Sequence, residues 1–547
     1  MITHNRRRPD PRPGVIFQPG LLAGIDTIAN LLRGTLGPLA RTVAVEGNFR
    51  TDTPEILDDA GILARRVVQI GEPVADAGAM LLRHAVWSVR ELHGDGAATT
   101  AMIAQTMAHG AVRAVAAGVH PRMMRGALAQ ACKLVIIALR AGSERIRGGR
   151  AGHETLRAVA HAMCQDVELC DALTMAVDLV GADGCIKIVP NEPRTILTEF
   201  IEGSMWETGL LAPGFSREPG KNLVRIDDAA VVVLAGTLNS SESVLNGLRR
   251  LIDSGRSRVF LVVQTLSDEA RQVMLQIQHR GMATLLPVKA PYLAGEAMVA
   301  LEDICVLTGA TQLNTGDASA DDAFARLDPS HAGSARRVWA DDQRFGIVAG
   351  ARSPHLLRER ITVLKRQLGI ETNNDALDKL RTRLGRLYGG LAMIRVGAAT
   401  MKGASVRRDQ AERMAHALQS ALSSGVVPGG GASLARVAAT LEQSAPDALE
   451  ARWARDIMAS ALRAPLRVIA ENAGYDPTLP MHSMTHGAPD AVFDVRTGTT
   501  AGMHAAGVID SVEMLCTAIR VATSMVAMAV TTDALVLRKA PPTSAFP

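Results

Sequence analysis

The sequence predicts a multi-domain α/β protein in which mostly helical flanks at the two chain ends enclose a mixed α/β middle. Three observations predict it. A chain of 547 residues is too long for one hydrophobic core, so two to four domains are expected. Apolar residues recur at helical spacing in the first part of the chain and again after the glycine-rich stretch at 425–431. Between them, Val-rich runs alternate with helical stretches, which is the pattern of βαβ units.

Composition narrows the classes of function. Hydrophobic residues make up 47% and charged residues 21%, a globular balance. Aromatic residues are only 3%, so the core must be built from Ala, Val, Leu, Ile and Met. That favours closely packed helices and leaves few platforms for stacking bases. The net charge of +4 is small for this length and argues against a nucleic-acid partner. The one dense basic run is Arg6, Arg7, Arg8 and Arg12, interleaved with Pro9, Pro11 and Pro13. It reads as a solvated, mobile arm, with a phosphate-binding arm as the alternative. Cys132, Cys164, Cys170, Cys185, Cys305 and Cys516 show no CxxC spacing, so they are expected as buried small hydrophobes in a reducing cytoplasm. The first residues lack a signal-peptide pattern, and no apolar stretch reads as a membrane span.

Taken in order, residues 22 to 33 read as a helix with Leu22, Ile25, Ile28, Ala29 and Leu32 on one stripe. It stops at Gly34-Thr35-Leu36-Gly37-Pro38. Thr42 to Val45 reads as a strand, and helices are expected at about 75–92, 96–117 and 122–141. The Gly- and Arg-rich stretch from Gly142 to Gly152 marks a boundary. Cys185 to Val189 carries a strand signal, and so do Ala229 to Leu234 and Val259 to Val263, with a helix at Ser241 to Ser254 between the last two. Asp375 to Leu387 is an amphipathic helix with Leu377, Leu380, Leu384 and Leu387 on one stripe, ending at Gly389-Gly390. Residues 411 to 422 form another, and the chain beyond Gly431 reads as mostly helical, with a frayed Pro-rich tail.

Three Gly-rich spots could carry chemistry. In Gly94-Asp95-Gly96-Ala97-Ala98-Thr99-Thr100 a loop turns into a helix, whose first amides are unpaired donors that favour an anion. Asp95 beside them could hold a magnesium ion bridging phosphate oxygens. At Gly429-Gly430-Gly431 the missing side chains let backbone approach a flat ligand. The third spot is Gly34 to Pro38. Taken singly, the first is more often a plain cap or turn and the second more often a hinge or loop. Other signatures fail: Gly214 to Lys221 lacks P-loop spacing, and no GxGxxG after a strand, HExxH or GxSxG occurs.

Together and in order, these motifs resemble the group I chaperonin family of GroEL type. Thr35-Leu36-Gly37-Pro38 matches its TLGP, and Gly94-Asp95-Gly96 with Thr99 resembles GDGTTT. Gly397-Ala398-Ala399-Thr400 matches VGAAT, and Gly425 to Gly431 matches GVVxGGG. Val288 to Pro291 matches VKAP, Ala464 to Arg467 matches APLR, and Gly507 to Asp510 resembles GILD. Order and spacing hold from about residue 14 to 540.

The resemblance implies a chaperonin fold of three domains: a mostly helical equatorial domain (1–141 and 424–547) that binds ATP, a small intermediate hinge domain (142–202 and 392–423), and an α/β apical domain (203–391). It implies heptameric rings of like subunits, capture of non-native polypeptides and a co-chaperonin lid. Position by position, Thr35, Leu36, Gly37, Pro38, Asp95, Gly96, Ala97, Ala98 and Thr99 would cradle the phosphates, with Asp95 on Mg2+. Gly430 would lie against the nucleoside, Asp510 would accept from its ribose, and Asp59 would assist hydrolysis. Val244, Leu245, Leu248 and Leu275 would line the client groove, although the stripe Val244, Leu248, Leu251 equally suits a core. Gly203 and Gly390 would be hinges.

Several positions depart from the family pattern. The family's second catalytic acid falls at Arg413, with Glu412 about 100° around the helix from it. Two of the three expected phosphate-side hydroxyls are Ala97 and Ala98, each removing roughly 0.5–1.5 kcal/mol of hydrogen bonding. Leu210, Gly214, Arg271 and Gln276 replace aromatic or apolar groove positions. These departures predict surviving nucleotide binding with slow or absent hydrolysis.

Overall fold

A computed structural model describes residues 10–12, 17–46, 54–164, 166–191, 195–215, 223–291, 296–313, 319–349, 354–368, 370–371, 373–388, 390–398, 401–444 and 448–537. The chain divides into two compact units, Met1–Asp178 with Ala398–Pro547, and Leu179–Gly397.

The terminal unit is a helical assembly built from both ends of the chain. The helices Phe17–Arg33, Pro73–His93, Ala97–Ala116 and Pro121–Ala141 come from the first segment, and Leu449–Asn472 and Val512–Thr531 from the last. Helices Phe17–Arg33 and Pro73–His93 cross at Gly24 and Gly78, where an added Cβ would strike the Ala75 and Leu21 carbonyls of the facing helix. Small residues there permit the close approach that the aromatic-poor composition favours. Helix Val512–Thr531 is long and apolar enough to span a membrane by length and mean hydropathy (1.6), a feature the sequence reading did not anticipate. Its most apolar stretch is 72% buried inside the unit, which makes it a core helix. Ile519, Ala522, Val526 and Cys516 are almost wholly buried on it.

Short strand pairs brace the unit, one within the last segment and one between the two chain ends. Val426–Pro428 pairs antiparallel with Ile509–Ser511, setting Val427 opposite Asp510. Asp10–Arg12 pairs with Leu535–Leu537. Arg12 therefore belongs to a strand and not to a mobile arm, because its backbone is taken up by the partner strand; Arg6 to Arg8 lie outside the described residues. A hairpin, Ala491–Asp494 with Thr499–Gly502, interrupts what reads as helical sequence.

The middle unit centres on a six-stranded sheet. Its order is Thr284–Lys289, Arg258–Val263, Val224–Val233, Gly333–Ala340, Phe345–Ala349, Ser204–Trp206. The first three strands run parallel and the rest antiparallel. Successive residues feed opposite faces. Val231, Val233, Phe260 and Val262 pack on Leu301, Ile304 and Leu387 from helices Glu296–Thr308 and Asn374–Tyr388. Val232, Leu234, Leu261 and Val263 pack on Val244, Leu248, Met274 and Phe324 from the other side. Burial on both faces explains why these strands read as unbroken apolar runs.

Asp303, 2% exposed, is the charged anchor of this unit. Arg383 donates to it at 2.7 and 3.0 Å and Arg360 at 3.0 Å. An Asp303→Ala variant is expected to lose about 3–5 kcal/mol, because the Arg383 guanidinium loses the carboxylate it donates to and Arg360 is left with Glu302 alone. A urea midpoint for the middle unit's unfolding step that does not move would contradict this.

Val244 and Leu248 are 0% and 1% exposed, so they do not line a client groove; they face the sheet and fill the core beside Leu251. Leu245, one residue around the helix Ser241–Asp253, is 49% exposed, and Leu275 is half-buried. Gly203 adopts a left-handed φ of 97° between two strands, and Gly390 opens the strand Gly390–Val396. Both lie within the middle unit, away from the changeover at 178/179 and 397/398.

Candidate functional site

A cavity of about 990 Å³ opens in the terminal unit. Thr35, Leu36, Gly37 and Pro38 line it from the end of the first helix. Asp58 and Asp59 line it from the start of helix Ala60–Arg66. Gly94 to Thr99 form another wall, and Gly430, Gly431 and Asp510 a third. All twelve residues expected to hold or hydrolyse a nucleotide thus share one cavity, although they come from five separated stretches of chain. Thr400 and Ala399, from the VGAAT motif, lie outside the described residues.

Local chemistry sets each wall. Gly94 closes helix Pro73–His93 at φ 69°, and a Cβ there would collide with the Arg413 carbonyl. Gly96 is the N-cap of helix Ala97–Ala116, also left-handed, and supplies no side-chain cap. The first intrahelical bond runs from the Thr100 amide to the Gly96 carbonyl at 2.9 Å. The amides of Ala97, Ala98 and Thr99 precede it, and these residues line the cavity. An uncapped helix start is a ready anion site.

Two acids line this cavity, and neither makes an ion pair among the described residues. Asp95 accepts from the Gly96 amide at 2.6 Å. Burial pushes its carboxyl above the usual range, outweighing that bond and the attraction of Arg413. Burial and then the like charge of Asp95 push Asp510 up to about 7, against a bond from the Gly430 amide. A divalent cation would relieve both acids, so the residues present fit a magnesium-bound triphosphate.

The raised acid has a signature in the empty protein. An unfolded aspartate titrates near about 3.9. Asp510 favours the folded state below that value, and the contribution is lost as pH climbs through about 7. Asp510→Asn keeps an acceptor for Gly430, so its Tm at about pH 8 is expected to exceed the parent's by about 2–4 °C, with the gap closing near pH 4. Parallel Tm curves across that range would refute the assignment.

Next to these acids lies a four-member ion network. Asp59 caps helix Ala60–Arg66, its Oδ1 accepting from the Ile62 amide at 2.7 Å and from Arg90 Nε at 3.0 Å. Its Oδ2 accepts from Arg413 Nη1 at 2.7 Å. Asp409 Oδ2 accepts from Arg90 at 2.9 Å and from Arg413 at 3.2 Å. Arg90 is nearly buried and lies over the Trp87 ring at 4.9 Å. Of the four lone-pair positions on the Asp59 carboxylate, three are taken. Glu412 turns away, pairing with Arg408 at 3.5 Å. Sequence reasoning missed Arg90 and Asp409. The i, i+4 spacing of Asp409 and Arg413 was the available signal for one of them.

The fold built around this cavity is shared with solved chaperonins. It resembles gp146 of bacteriophage EL 2 (Pseudomonas aeruginosa), crystallised in the presence of ATP-BeFx. One crystal form gives a TM-score of 0.65 at 16% identity, covering 97% of this chain and 99% of that one. A second form gives 0.57 at 17% identity with the same coverage. Residues 28–540 match the TCP-1/cpn60 chaperonin family, and the chain belongs to that family. Its biochemical class is accordingly that of a chaperonin, which assists the folding of other polypeptides.

Proposed function

We propose that the chain is an ATP-binding subunit of a chaperonin ring that binds non-native polypeptides and assists their folding. One observation carries the nucleotide reading: the TLGP loop, the Gly94 to Thr99 helix start, the Gly430 turn and Asp510 meet in a single cavity. Phosphates lie against the amides of Ala97, Ala98 and Thr99, with Thr35 to Pro38 opposite. Asp95 holds Mg2+, whose charge screens the phosphates when it is bound. Gly430 and Asp510 meet the nucleoside. That gp146 was crystallised with an ATP analogue agrees with this reading.

A second reading has a specific observation behind it. Arg413 stands where the family carries an acid and grips Asp59. With three of its lone pairs engaged, Asp59 has little room to orient a water. The subunit would then act as an ATPase-deficient holdase or structural partner in a ring.

The three-domain division at 141/142, 202/203, 391/392 and 423/424 belongs to this proposal, as do heptameric rings, a co-chaperonin lid and a cytoplasmic setting. Client capture falls to the middle unit through Leu245 and Leu275. Negative-stain microscopy with and without ATP is expected to show large rings, and light scattering to show suppressed aggregation of a denatured client. A stable monomer without holdase effect would overturn the proposal. Steady-state phosphate release separates its two forms.

A further inference from the structure

One pair of nucleophiles in the terminal unit has no part in the nucleotide reading. Cys164 follows helix Arg150–Met163 as its C-cap, and Cys170 lies in the first turns of helix Val167–Val180. The chain between them doubles back tightly. The Asp166 amide donates to Cys164 Sγ at 3.3 Å, and Cys170 Sγ–H donates to the Cys164 carbonyl at 3.4 Å. The Cys170 amide donates to the Asp166 carbonyl at 3.0 Å. Asp166 is held in turn by Arg407 at 2.7 Å, and it caps the second helix through the Leu169 amide at 3.2 Å.

The two thiols differ in environment. Cys164, 5% exposed, lines the large cavity, while Cys170 is wholly buried and outside its lining. The neighbouring Cys170 thiol holds the Cys164 thiol below the usual cysteine range, against the effect of burial. The pairing with Cys164, then burial, pushes Cys170 up. This is the asymmetry of an attacking and a resolving cysteine.

We propose that Cys164 and Cys170 form a thiol–disulfide exchange site that opens into the cavity of the terminal unit and takes low-molecular-weight disulfides such as glutathione disulfide. The Cys164 thiolate attacks one sulfur of glutathione disulfide, forming a mixed disulfide and expelling one glutathione thiolate. Cys170 then loses its proton and attacks Cys164 Sγ, expelling the second glutathione. The two cysteines give up two electrons and two protons, and these reduce the glutathione disulfide to two thiols.

The test uses the full chain and a mass readout, which does not depend on nucleotide binding. Cleavage after Glu168 puts the two cysteines on separate peptides. After incubation with glutathione disulfide, the wild-type chain is expected to yield these peptides joined by a disulfide. Cys170→Ala is expected to stop at a glutathione adduct on Cys164, and Cys164→Ala to leave Cys170 unmodified. The proposal is overturned if Cys164 and Cys170 keep their free masses while the half-buried Cys185 and Cys305 take up glutathione. It is also overturned if Cys170 reacts equally fast once Cys164 is gone. The wild-type result stands without either variant, so a variant that folds poorly does not decide the matter.

Discussion

An Arg413→Asp variant is expected to hydrolyse ATP about 10²-fold faster than the parent chain, the lower end of what a positioned acid–base group supplies. The substitution changes two things at once. It releases Asp59 Oδ2 from the contact at 2.7 Å, and it restores a carboxylate on the wall that faces Asp95. Arg413→Ala separates the two effects, since it frees Asp59 without supplying an acid. Arg90 still holds Asp59 Oδ1 in both variants, so the network keeps one of its two cations. Phosphate release measured at saturating ATP gives the comparison. Equal rates in all three proteins would remove Arg413 as the brake and leave Ala97 and Ala98 to account for slow turnover.

An Asp95→Ala variant is expected to lose Mg2+-dependent nucleotide affinity by at least about 10²-fold, because even outer-shell losses at metal sites cost 10–100-fold. Titration with a fluorescent nucleotide in Mg2+ and in EDTA isolates the metal-dependent part. Stability offers an independent control. Burial works against the charged form of Asp95, so its removal is not expected to lower the Tm of the empty protein. A variant with unchanged affinity in Mg2+ would take the metal away from Asp95 altogether.

Much of the terminal unit was legible because its helices carry unbroken apolar stripes and glycine stops. The helix expected over about 122–141 is Pro121–Ala141, and the one over 75–92 is Pro73–His93. The six-stranded sheet was only partly legible. Val-rich strands announce themselves, whereas Gly333–Ala340, paired on both sides within the sheet, carries exposed Arg336 and Arg337 and reads as polar. The site was legible through its glycines, since a left-handed Gly94 or Gly96 leaves a mark in sequence. The ion network was not. Arg90 reaches Asp409 across 319 residues, and no local pattern encodes a pairing of that span. Val244 and Leu248 show the complementary failure: an amphipathic stripe says that a face is covered, but not whether sheet or client covers it.

The apolar helix near the chain end has a consequence for biosynthesis. Val512–Thr531 packs against helices contributed by the first 141 residues. A ribosome that has made the opening segment has therefore produced one half of a core whose other half is still some 370 codons away. During that interval the nascent chain carries bare Ile, Leu and Val faces, the kind of surface that draws aggregation. A protein whose family shepherds others to their native state is thus, by the order of its own segments, among the last to complete itself.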